Sequence, residues 1–160
     1  MKMTDLIESI HSAPSCSVAR SAGLPTISPG HECPPDLEQF YRVCGGVDLF
    51  SDSTYGLHIS SPLELVPANP IIIGQQIADD ISSSWYVIGR GDNSQFVTID
   101  LHPARIGRCY DSFWDRHGVV GSCPVIALTF QELLERSFRN KGGHWYWLQS
   151  DFESLGDAYD

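Results

Sequence analysis

His102, Cys109, Asp111 and His117 lie in one stretch of the chain, and these are the residue types that thiol-dependent transfer or hydrolysis uses. An imidazole that reaches a thiol takes its proton, and a neighbouring cation such as Arg108 favours the thiolate. Nothing further in the sequence completes such a machine. It has no G-x-S-x-G, no H-E-x-x-H and no Walker loop. His31 and Cys33, with Cys44 further on, could donate to zinc. However, the H-x-E and P-C-x-x-C spacings of a zinc deaminase are missing, and Cys44 falls on an apolar helix face. "GRGDNS" (89–94) starts like a phosphate-binding glycine loop, but position 94 is Ser and strand-like residues follow where a helix N-terminus would be needed. A hairpin turn accounts for it. No catalytic residue, no metal and no cofactor is expected.

What remains is an interleaving of acids and aromatics. "YDSFWDRHG" (110–118) supplies Tyr110, Asp111, Trp114 and Asp115, Asp79 and Asp80 precede a serine run, and Asp92 stands in the turn. Exposed aromatics beside carboxylates suit a basic protein surface. The plainer reading puts Phe113 and Trp114 in the core and leaves the acids solvated. Asp79, Asp80, Asp92, Asp111, Trp114 and Asp115 are therefore the candidate partner-binding residues.

Twenty acids against ten Lys and Arg give a net charge of -10. Nucleic acid and anionic membrane both require clustered cations, so neither is an expected partner. A cationic protein is attracted, although acidity also serves solubility alone. The five cysteines form no C-x-x-C pair. The opening "MKMTDLIESIHSAPS" does not read as a signal peptide, and "IIIG" is too short to span a bilayer. A reduced, cytoplasmic protein is expected.

"TDLIESIHSA" (4–13) puts Leu6, Ile7 and Ile10 on one helical stripe, with Asp5 and Glu8 at capping-box spacing. Residues 14–33 read as an irregular connection. In "PPDLEQFYRVCGGVDLF" (34–50), Pro35 opens a helix whose apolar face is Leu37, Phe40, Tyr41 and Cys44. Gly45 is expected to end it in the left-handed conformation and Gly46 to reverse the chain, a structural turn. "YGLHI" is strand-like, and "PLELVPANPIIIG" reads as edges and turns. "WYVIG" and "QFVTIDL" form a hairpin over 85–101, followed by a strand candidate in "GRCYDSFWD" (107–115) and a turn at "HGVVG". Thr129 caps a helix with Glu132 three residues on and a stripe of Phe130, Leu133, Leu134 and Phe138. "HWYWL" docks back on the body, and the acidic tail 151–160 is read as a fraying end. The pattern is α+β, a mainly antiparallel sheet with packed helices, in a single domain over 1–160.

In that order, the proline-led helix ending on Gly-Gly, the "WYVIGRGDNSQFVTIDL" hairpin, "GRCYDSFWD" and "TFQELLERSF" resemble the SMI1/KNR4 family of the SUKH superfamily. The likeness covers most of 34–139, within a family-like core of about 34–148. Cys44 stands where the family often has Asn before the two glycines, which removes a polar role for that side chain but keeps the turn. The resemblance implies a binding module without shared catalytic residues. Bacterial members are mostly immunity proteins against toxins that are commonly nucleases or nucleic-acid deaminases, while fungal members regulate by binding endogenous partners. The implied function is neutralisation of a cognate protein toxin with a basic surface. The alternative is a regulatory or scaffold protein.

Overall fold

Each strand of the sheet pairs with the strand beside it in the chain. The computed structural model describes all residues 1–160. Its elements are α1 (Met3–Ser12), β1 (Ser17–Val18), α2 (Pro35–Val43), β2 (Val47–Leu49), β3 (Leu57–Ile59), α3 (Ala68–Ile72), β4 (Trp85–Arg90), β5 (Phe96–Asp100), β6 (Cys109–Asp111), β7 (Val125–Ala127) and α4 (Phe130–Arg139). They build one seven-stranded sheet in the order β1 to β7, antiparallel at every step. The α+β reading holds. No helix is long and apolar enough to cross a membrane.

Period-two alternation in β4 shows how the sheet is covered. Tyr86 and Ile88 join Ile59, Val97 and Ile99 beneath α1, α2 and α4, in a core with Leu6, Ile10, Leu37, Phe40, Phe130 and Leu133. Trp85 and Val87 face the other way, into a smaller cluster with Ala68, Tyr110, Cys123, Val125 and Ala158. Both faces are thus packed along β4, which explains a run of buried residues where a half-exposed strand would alternate.

The helices follow their local signals. In α4 the Thr129 hydroxyl accepts from the Glu132 N–H at 3.1 Å, and the Glu132 carboxylate accepts from the Leu128 N–H at 3.3 Å. Burial of Phe130, Leu133 and Leu134 contributes about 1.5–3 kcal/mol each. In α2, Asp36 accepts from the Leu37 N–H at 2.9 Å and from the Gln131 N–H at 2.8 Å, tying the starts of α2 and α4 together. The α1 helix begins at Met3 with no side-chain cap, so Asp5 and Glu8 do not form a capping box.

The double glycine works differently from the sequence expectation. The α2 helix ends at Val43, and Cys44 is already extended. Gly46, at φ +117°, takes the left-handed conformation, and Gly45 does not. Gly45 is small for another reason. A Cβ there would overlap the Arg20 carbonyl oxygen, because residues 19–22 run against it. The Gly45 N–H donates to the Ala19 carbonyl at 3.0 Å, and the Ala19 N–H donates to the Gly46 carbonyl at 2.9 Å.

Three other segments depart from expectation. The connection 14–33 contains β1, paired through Ser17 with Asp48 and Val18 with Val47. "PLELVPANPIIIG" contains α3. The acidic tail is fastened along the outer side of β7. The Val125 N–H donates to the Gly156 carbonyl at 2.9 Å, and the Ala158 N–H donates to the Cys123 carbonyl at 2.9 Å. The Asp157 carboxylate accepts from the N–H groups of Gly121 (3.0 Å) and Cys123 (2.8 Å), which a fraying end could not do.

Candidate functional site

The β4–β5 hairpin turns tightly, with the Gly91 N–H on the Gln95 carbonyl at 2.8 Å and the Gln95 N–H on the Asp92 carbonyl at 3.3 Å. Asn93 and Ser94 both have positive φ, +55° and +64°, the twist that matches a two-residue hairpin loop. Asp92 is exposed at this tip. Past β6 the chain leaves the sheet beside the same hairpin. The Ser112 N–H donates to the Phe96 carbonyl at 3.0 Å, and the Trp114 N–H donates to the Ser94 carbonyl at 3.2 Å. Asp92, Trp114 and Asp115 are therefore brought to one end of the sheet. Trp114 is 67% exposed, whereas the other three tryptophans are buried. Phe113 turns inward against Trp145 and Trp147, with ring centroids 5.7 and 6.1 Å away.

Asp111 does not belong to that surface. It is fully buried and accepts hydrogen bonds from the Phe113 N–H (3.1 Å), from Trp147 Nε1–H (3.0 Å) and from Arg116 Nη1–H. Burial pushes its carboxyl above the usual value, and these donors offset only part of the rise. The sequence placed Asp111 among partner contacts; its packed surroundings make it the anchor of the turn that displays Trp114.

From that anchor the loop folds back through successive turns. The N–H groups of Arg116 and His117 donate to the Phe113 carbonyl, Val119 donates to Arg116, and Ser122 donates to Val119. His117 points inward, its Nε2 2.6 Å from Asn69 Oδ1. Because Asn69 Nδ2 donates to Gln76 and Ser82, Oδ1 must accept, so His117 carries its proton on Nε2. Its buried Nδ1 has no partner, and burial lowers the imidazole pKa to about 4.

Asp80 is half-buried. It accepts from the Ser82 N–H at 3.0 Å and from the Tyr159 hydroxyl at 2.9 Å, so it caps the 3₁₀ turn Ile81–Ser84 and secures the tail. Burial pushes its carboxyl up, but the Ser82 and Tyr159 hydrogen bonds and His117 outweigh this and hold it below the usual value. Asp79 beside it is exposed.

The thiol and imidazole candidates for catalysis do not meet. Cys109 is buried, its thiol pushed well up by burial, and its sulfur faces the Gly107 carbonyl at 3.5 Å. His102 accepts the Ala104 N–H on Nδ1 at 3.0 Å. Burial also pushes the Cys33 thiol up to about 11 and Cys123 up to about 12. No three His, Cys, Asp or Glu side chains are grouped to hold a metal ion.

The sequence reading missed two features. His58 on β3 lies between Asp48 Oδ1 (2.7 Å) and Glu64 Oε1 (2.8 Å). Burial opposes its charging, but the hydrogen bonds that His58 donates to Glu64 and Asp48, with their negative charge, outweigh this and raise its pKa. Polar residues centred in "VDL" and "LHI" were the available signal. The second is a groove of about 600 Å³ lined by apolar Leu6, Phe50 and Phe138 together with charged Asp52, Glu135 and Arg139. It gathers residues from both ends of the chain, so no local pattern announces it.

A sheet whose strands follow chain order, three helices on one face and a Gly-Gly turn after α2 form the frame that carries these residues. The sequence matches the SMI1 / KNR4 family (SUKH-1) over residues 30–136, and the chain belongs to that family. It is also 46% identical over 160 residues, all of this chain and 97% of the relative, to the immunity protein YokJ of Bacillus subtilis (strain 168). That likeness includes the N-terminal helix and the tail, which the family match leaves out. No solved structure matches the chain.

Proposed function

We propose that this chain is an immunity protein that binds a cognate protein toxin and neutralises it by covering the toxin's working surface, without turning over a substrate. The observation that carries this reading is the full-length likeness to YokJ at 46% identity. The charge of -10 supports a toxin with a basic surface. A nuclease or nucleic-acid deaminase has such a surface, because it must hold phosphates with Lys and Arg. Exposed Asp79, Asp92 and Asp115 are suited to face those cations. A nanomolar complex needs about 12 kcal/mol, and close charge pairs across interfaces couple by about 1.5–7 kcal/mol each. Apolar anchors must therefore contribute too. Five free cysteines suit a reducing cytoplasm, the proposed site of action.

The test is co-purification with the product of the adjacent gene, together with rescue of cells expressing that product. Binding and rescue are the expected results. A chain that neither binds the neighbouring product nor protects against it would refute the reading.

A further inference from the structure

Trp114, Val119 and Val120 are all exposed on one short loop, at 67%, 46% and 74%. Folding alone gives no reason to place a tryptophan and two valines in water. Yet the loop that carries them is held from every side. Trp114 is bonded to Ser94 at the hairpin tip, Arg116 to buried Asp111, His117 to Asn69, and Gly121 to Asp157. A loop fixed in this way loses little entropy when it docks.

Its charge is one-sided. Asp92 and Asp115 are exposed beside Trp114. Arg116 is the one Lys or Arg between 110 and 122, and it is drawn inward, paired with Asp111 and stacked over the Phe113 ring at 5.4 Å. His117 is buried and kept neutral at pH 7 by its lowered pKa. The loop therefore offers the outside apolar side chains and negative charge, with its cation neutralised internally. An aromatic anchor ringed by charge has the anatomy of an interface hot spot.

We propose that Trp114, Val119 and Val120, flanked by Asp92 and Asp115, form the docking surface that enters an apolar socket rimmed by Lys or Arg on the toxin. This rests on the immunity reading above and assigns the contact within it. Trp114 is the anchor, Val119 and Val120 extend the dry contact, and the two aspartates pair with the rim. Asp111 and Asp80 hold the platform in place and do not touch the partner.

The experiment is calorimetric and kinetic titration of the full chain with the purified product of the adjacent gene. Trp114→Ala is expected to weaken binding at least about thirty-fold, the size of a hot-spot loss. Its thermal midpoint should remain that of the native chain, since the side chain is mostly in water. Val120→Ser should weaken binding less. Asp92→Asn with Asp115→Asn should slow association several-fold and flatten its salt dependence, with a smaller effect on dissociation. Leu63→Ser, at a 90% exposed site outside the loop, serves as the control and should bind like the native chain. Native affinity in both Trp114→Ala and Val120→Ser would overturn the assigned surface while leaving the immunity reading intact. Failure of the native chain to bind would overturn both.

Discussion

Replacing Asp111 by alanine separates an anchor from a contact. The carboxylate is fully buried and receives three donors, from Phe113, Arg116 and Trp147. Without it, buried Trp147 Nε1–H loses its acceptor, at about 1–3 kcal/mol. The Arg116 side chain is 32% exposed and can turn towards water, so its share is discounted to about 1 kcal/mol. Together these give about 2–4 kcal/mol, slightly below the 3–5 kcal/mol typical of breaking a fully buried pair. For a chain of this size each kcal/mol lowers Tm by about 2–4 °C, so Asp111→Ala should melt about 10 °C early in calorimetry. Asp111→Asn keeps one acceptor oxygen, enough for either the Phe113 or the Trp147 donor, which sit on different carboxylate oxygens, and should lose less. A Tm for Asp111→Ala within about 2 °C of the native chain, smaller than any sum of these losses allows, would refute the reasoning: Arg116 and Trp147 would then have other partners, and the Trp114 loop would not depend on this carboxylate.

Gly45→Ala should lower stability by about 1–3 kcal/mol, because the added methyl has no room against the Arg20 carbonyl. An unshifted urea midpoint would show that residues 19–22 do not lie there. His117 has its folded pKa lowered to about 4 against an unfolded value near 6.5, so the unfolded chain binds the proton first. Its contribution is complete above pH 6.5, is lost as pH falls towards 4, and changes no further below that. An imidazole resonance titrating above pH 6 would contradict the burial. His58 behaves oppositely. Its folded pKa is raised, so its stabilisation is full below pH 6.5 and lost as pH rises through the folded value. The urea midpoint of the native chain should exceed that of His58→Gln by more at pH 5 than at pH 8. An equal difference at both would remove the Asp48–His58–Glu64 link.

The legible parts of the fold were those with short-range causes. Thr129 and Glu132 define the start of α4 within four residues, and the turn at "RGDNS" together with flanking β-branched runs defines the hairpin. The strands β1 and β7 are only two and three residues long, too short for a period to register. Gly45 was misread because its constraint comes from a segment over twenty residues upstream, which no helix-ending rule contains. Asp111 was misplaced for a similar reason: its buried donor, Trp147, arrives 36 residues later. Asp92, Trp114 and Asp115 are far apart or merely adjacent in the sequence, and the pairing of β5 with β6 is what sets them at one end of the sheet. The tail looked too polar to be held, and Asp157 fastens it through backbone N–H groups.

The sheet in which every strand meets its sequence neighbour also governs how the molecule is born. Each pairing can form once the next strand in the chain is available, although β1 waits for β2 across α2 and β3 waits for β4 across α3. Later segments close the fold: the Gln131 amide of α4 donates to the Met1 carbonyl, 2.6 Å away, and Trp147 and the tail then settle on Asp111 and β7. The start of the chain and the Trp114 loop are thus locked by the parts of the chain made last.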